Sequence, residues 1–183
     1  GANVVLSVIQ LLLINLAMDT LAAIAFGSEP ALREYMREKP IPRNESIITK
    51  EMLTQVLVSA VYITFICLSI LFFPPIRDLF GDVDNTYLRS ALFATFMMAI
   101  TFNGFNARTS HINPFEHLGR NKNFWLVMLS IFLMQFVFVT FGGEVLDAEP
   151  LSLQAWLICI VMSFLVIPID MIRKAIMHRG KKE

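Results

Sequence analysis

The sequence predicts an all-α fold: a polytopic transmembrane bundle of five spanning helices. Three observations lead there. Of the 183 residues, 56% are hydrophobic and 16% charged, against roughly 45–50% and ~25% in an ordinary soluble domain. The apolar residues are gathered into long runs, and a spanning helix needs about 20 such residues. Lysine and arginine crowd into alternate connections between the runs, which is the pattern of a chain threaded through a bilayer. The implied partner is therefore lipid, and the implied location a multi-pass position in the cell membrane.

The first run, residues 4–26, carries one charge, Asp19. Gly27 followed by Pro30 gives it a C-terminal stop. The second run, 52–73, is uncharged and ends at Pro74-Pro75, which cannot continue a helix. The third, 87–105, is interrupted only by Arg89 near its start. The fourth, 124–141, is uncharged; Asn123 stands where a cap is needed, and Gly142-Gly143 breaks the chain after it. The fifth, 153–172, has Ser152 as its cap and Asp170 at its end.

Charge orients the spans. Arg33, Arg37, Lys39, Arg43 and Lys50 lie in loop 28–51. Arg108, Arg120 and Lys122 follow the third span, and Arg173, Lys174, Arg179, Lys181 and Lys182 fill the tail. The opposite connections hold only Arg77 and Arg89, beside Glu144, Asp147 and Glu149. The positive-inside rule makes loop 28–51 and the C-terminus cytoplasmic and the N-terminus external. An odd number of spans with an external start leads us to expect further helices upstream. Asn44-Glu45-Ser46 fits a glycosylation acceptor but falls on the cytoplasmic side.

Several function classes receive no support. Net charge is zero, so the whole-chain balance says nothing about nucleic acid, and no nucleic-acid partner is expected. No glycine-rich phosphate loop, nucleophile elbow or metal-ligand cluster is present, so no catalytic residue is assigned. Cys67 and Cys159 lie far apart in apolar runs and are expected to behave as small apolar residues. His111 and His117 are expected to be solvated in their loop. Gln135 is expected to join helices by hydrogen bonds, Thr101 to bond back to its own helix, and Asp170 to pair with Lys174 at the membrane edge.

Asp19 is the residue that needs explaining. A carboxylate inside a spanning helix costs roughly 2.5–3.5 kcal/mol on insertion scales. Asn15 lies four residues earlier, on the same helix face. A carboxylate and an amide oxygen suit a hard cation such as Ca²⁺, within a shell of about six to eight oxygens. Asn15 and Asp19 are thus the candidate metal ligands. Other helices, water, or backbone carbonyls of a broken helix would supply the rest. A structural role for Asp19, bonded to a neighbouring helix or near the interface, stays open at this point.

The run from Gln10 to Ala22, with Asn15 and Asp19 in it, resembles the sixth transmembrane helix of P-type cation-transporting ATPases, in the plasma-membrane-type calcium-pump branch. Ser28-Glu29-Pro30 and Lys39-Pro40-Ile41-Pro42-Arg43 resemble that family's loop between its sixth and seventh helices. Phe102-Asn103-Gly104-Phe105-Asn106-Ala107-Arg108 resembles the end of its eighth. Phe115-Glu116, Gln135, Phe141-Gly142-Gly143, Pro150-Leu151 and Trp156 fall at its spacing in the last two helices.

The resemblance covers nearly the whole chain and implies a C-terminal transmembrane domain, the sixth to tenth helices. It implies that Asn15 and Asp19 bind the transported Ca²⁺. Met18 and Ile100 stand where two-site pumps carry further ligands, which implies a single ion site and loosens the link to the closest branch. ATP and Mg²⁺ would act in cytoplasmic domains of the same polypeptide, since the family's Asp-Lys-Thr-Gly-Thr phosphorylation motif is absent here. This chain alone would not be catalytic. A pump for another cation, a secondary transporter or channel bundle, and a purely structural membrane module are the rival readings.

Overall fold

The computed structural model describes residues 8–28, 48–116, 118–146 and 148–180. Every regular element among them is helical. Helix α1 covers residues 8–27, α2 Lys50–Phe72, α3 Asn85–Ala107 and α4 Lys122–Phe141. Helix α5 is built of Leu153–Phe164 and Val166–Gly180. By length and hydropathy four of these, α2 to α5, can cross a membrane; α1 is the fifth segment, divided by a change of winding. Most of loop 28–51, with four of its five basic residues, lies outside the described residues, as do His117 and Asp147.

Local chemistry sets the helix ends. Thr49 Oγ1 accepts from Met52 N–H at the start of α2. Asp84 Oδ1 accepts from Tyr87 N–H at the start of α3. Ser152 Oγ accepts from Ala155 N–H at the start of α5. Each satisfies an amide that the first turn leaves without a partner. The cap of α4 is Asn121, whose Oδ1 accepts from Phe124 N–H at 2.9 Å. The expected Asn123 lies inside the helix instead. Phe73 ends α2 in an extended conformation before Pro74-Pro75. Pro168 lacks an amide and its ring clashes with the carbonyl four residues back, that of Phe164. The turn at Leu165 follows from it.

The helix α3 is the centre of the bundle, in contact with α2, α4 and α5. Small residues let α3 and α5 approach: Ala91, Ala94 and Thr95 on one side, Ala155, Cys159 and Ser163 on the other, all buried. Ser163 Oγ donates to Thr95 O, and Cys159 Sγ to Ala91 O. Both cysteines are free thiols, as the sequence led us to expect. Tyr62 Oη donates across from α2 to Met162 O at 2.6 Å. Helix α1 packs on α4 through Ile14, Met18 and Ala25, and turns Leu12 and Leu16 outward.

A buried ion cluster ties three helices at their basic ends. Asp170 is 1% exposed, with Arg173 Nε at 2.5 Å and Lys174 Nζ at 3.2 Å. Lys174 also donates to the carbonyls of Asn106 and Thr109, where α3 ends, a favourable place for a cation. Arg173 reaches Glu51 O and Thr54 Oγ1 at the start of α2. The expected interfacial Asp170–Lys174 pair is therefore a buried triad. The cause is that α2 and α3 close over it.

Candidate cation site

Asp19 stands at a change of helix winding. Val8–Leu13 is α-helical, Ile14–Met18 forms a turn of π-helix, and α-helix resumes at Asp19. The Asp19 N–H bonds to Ile14 O, five residues back. In a regular α-helix that donor would go to Asn15 O, four back. The Asn15 carbonyl is thereby released from its usual donor. Single π-turns of this type gather at functional sites. No proline or glycine occurs in residues 8–26, so nothing in the sequence marks the turn. The Asn15 side chain lies outside what is described.

Asp19 borders a cavity of about 230 Å³ between α1, α3 and α4. Its polar neighbours there are Thr101 and Asn103 of α3, and its apolar ones include Met18, Ile100 and Met128. The structure thus brings together Asp19 with Met18 and Ile100, the two apolar positions singled out in the sequence. Gly104 opens the cavity floor: a Cβ there would lie 3.2 Å from the Met128 terminal methyl and 3.9 Å from the Phe26 ring.

The α3 wall is held from behind. Asn103 Oδ1 accepts from Ser59 Oγ of α2 at 2.9 Å and from Asn106 Nδ2 at 3.3 Å. The Asn106 amide also donates to Val166 O of α5, and its backbone carbonyl takes the Lys174 ammonium. Thr101 Oγ1 donates to Met97 O at 2.8 Å, the expected back-bond. Gln135 is wholly buried on α4, but neither atom of its amide has a hydrogen-bond partner among the described residues. His111 pairs with Glu116 at 2.9 Å rather than standing alone in solvent. Among the described residues no group of three or more histidine, cysteine or acidic side chains could hold a metal ion.

These features define a class first: an integral membrane helix bundle with one carboxylate, exposed on this chain, at the edge of a cavity between helices. The family described as "Cation transporting ATPase, C-terminus" matches residues 3–176, and the chain belongs to it. It is 33% identical over 170 residues to a plasma membrane calcium-transporting ATPase of Caenorhabditis elegans, a match covering 87% of this chain and 13% of that protein. It is 35% identical over 167 residues to human plasma membrane calcium-transporting ATPase 3, covering 85% and 13%. A relative from Oreochromis mossambicus, plasma membrane calcium-transporting ATPase 2, is 33% identical over 169 residues, covering 86% and 15%. The chain thus spans about one-seventh of the length of these relatives.

Proposed function

We propose that this chain is the membrane part of an ATP-driven calcium pump and carries part of a single cation site. The observation that carries the reading is Asp19, placed beside a π-turn and bordering a cavity walled by three helices. A membrane acid of this kind is functional by default, and hard cations are bound by such oxygens. Asp19 would bind through its carboxylate and Asn15 through its side chain, with the released Asn15 carbonyl as a further oxygen. The names of the relatives support calcium as cargo. Met18 and Ile100, apolar on the cavity wall, support one ion per cycle.

ATP and Mg²⁺ belong to cytoplasmic domains elsewhere in the same polypeptide. There an aspartyl phosphate would form, and loop 28–51 would receive the resulting movements. The upstream helices of that polypeptide would complete the ion shell. The basic ends of the spans support a cytoplasmic loop 28–51 and C-terminus in the cell membrane. The test is ATP hydrolysis by the intact parent polypeptide in lipid, with Ca²⁺ varied, beside Asp19→Asn. Calcium stimulation lost in the variant is the expected result. Hydrolysis indifferent to calcium would turn the reading to another cation, the second reading that the two apolar positions favour.

A further inference from the structure

The cavity has a second oxygen-bearing wall. Thr101 is 3% exposed and borders the same cavity as Asp19, from the opposite helix. Its hydroxyl proton is already committed to Met97 O, one turn back. A hydroxyl carries one donor and two acceptor lone pairs, so the back-bond leaves its oxygen as an acceptor only. The same helix shows this use of a hydroxyl elsewhere. Ser90 Oγ donates to Thr86 O and accepts the Glu149 N–H at 2.7 Å. No donor from the described residues occupies the Thr101 oxygen in this way.

We propose that Thr101 Oγ1 is a ligand of the transported cation, the contribution of α3 to the site whose α1 side holds Asp19. The assignment rests on the cation-pump reading above. It adds a neutral oxygen to the carboxylate, as a hard-cation shell of mixed oxygens requires. The wall that presents it is fixed from three sides: by Ser59 and Asn106 on Asn103, by Val166 on Asn106, and by Lys174 at the helix end. A ligand on a fixed wall facing a π-turned segment suits a site whose geometry changes on the α1 side.

The experiment uses the intact parent polypeptide in lipid vesicles, with Ca²⁺ itself as probe. Calcium-dependent ATP hydrolysis and equilibrium binding of radioactive calcium are both measured. Thr101→Val keeps the shape and removes the oxygen; Thr101→Ser keeps the oxygen and loses a methyl group. Thr101→Val is expected to raise the half-activating calcium concentration about tenfold, the scale of one interaction with a charged group. Thr101→Ser is expected to stay close to the parent. Equal shifts in the two variants, or no shift in Thr101→Val while Asp19→Asn loses calcium binding, would overturn the Thr101 assignment and leave the Asp19 reading standing. Unchanged calcium binding in Asp19→Asn would overturn both. Should Thr101→Val fail to fold, Thr101→Ala replaces it with the same expected loss.

Discussion

Asp170 has two cationic partners, and all three side chains are buried. Removing one member of a buried ion cluster leaves the others uncompensated, at about 3–5 kcal/mol. Asp170→Ala is expected to lower stability by that amount, read from the unfolding midpoint in detergent; a midpoint within experimental scatter of the parent would show that the cluster holds nothing together. Gln135 is the converse case. Its amide is wholly covered by this chain's own helices and has no partner among the described residues. Replacing a buried unsatisfied polar group by an apolar one of similar shape relieves a penalty of about 1–3 kcal/mol. Gln135→Met is therefore expected to raise the same midpoint, and a fall would show the amide engaged. The Asp170–Lys174 spacing was legible in the sequence because four residues make one helical turn. The burial and the role of Arg173 were not, since they depend on where α2 and α3 end. Asp19 was legible as a cost that something must offset. Its neighbours Thr101 and Asn103 were not, because an interhelical cavity leaves no local trace.

At the scale of elements, α1 and α5 both depart from regular winding, for different reasons. In α5 the break at Leu165 follows from Pro168, a residue visible in the sequence. In α1 the π-turn has no such mark and must be held by the packing of Ile14 and Met18, both buried. A π-turn carries one residue more than the α-helical turn it replaces. Deleting Leu16, which is 70% exposed, is expected to let residues 8–27 wind as one α-helix. The preceding residues then keep their orientation, because the π-turn had absorbed the extra residue, while Asn15 comes to stand three residues before Asp19 instead of four and the local winding at the site is lost. The expected outcome in the intact parent polypeptide is a folded protein with calcium stimulation of ATP hydrolysis lost. Retained stimulation would show that the π-turn is incidental to the site. Helix ends show the same split between legible and hidden. Ser152 precedes a run whose start is clear, whereas Asn121 and Asn123 flank Lys122 and the sequence alone does not rank them.

For the whole molecule, the most deeply buried of the membrane-length helices is also the least apolar. The helix α3 is the least apolar of the four membrane-length helices, yet 67% of its most apolar stretch is buried, against 33% for α2 and for α4 and 39% for α5. A helix surrounded by protein can carry Ser90, Thr95 and Thr101 because its neighbours and its own carbonyls satisfy them, while a lipid-facing helix has no such partners. Five apolar runs were thus enough to give the fold class, and their ranking by hydropathy says which helix is central only when inverted. The bundle also has two ends of different charge. Lys50, Arg108, Lys122, Lys174 and Arg179 lie at one; Asp78, Asp82, Asp84 and Glu149 lie at the other, with Arg77 and Arg89. Basic ends stay on the cytoplasmic side. In the parent polypeptide expressed in cells, with Cys67 and Cys159 replaced by alanine, Asp82→Cys is expected to react with a membrane-impermeant thiol reagent added outside. Arg179→Cys is expected to react only after the membrane is permeabilised. Both positions are exposed on this chain, so access across the membrane decides the outcome. The reverse pattern would invert the bundle and put loop 28–51 on the wrong face to receive movements from a cytoplasmic ATP-hydrolysing domain. That result would remove the mechanical link on which the pump reading depends while leaving the fold untouched.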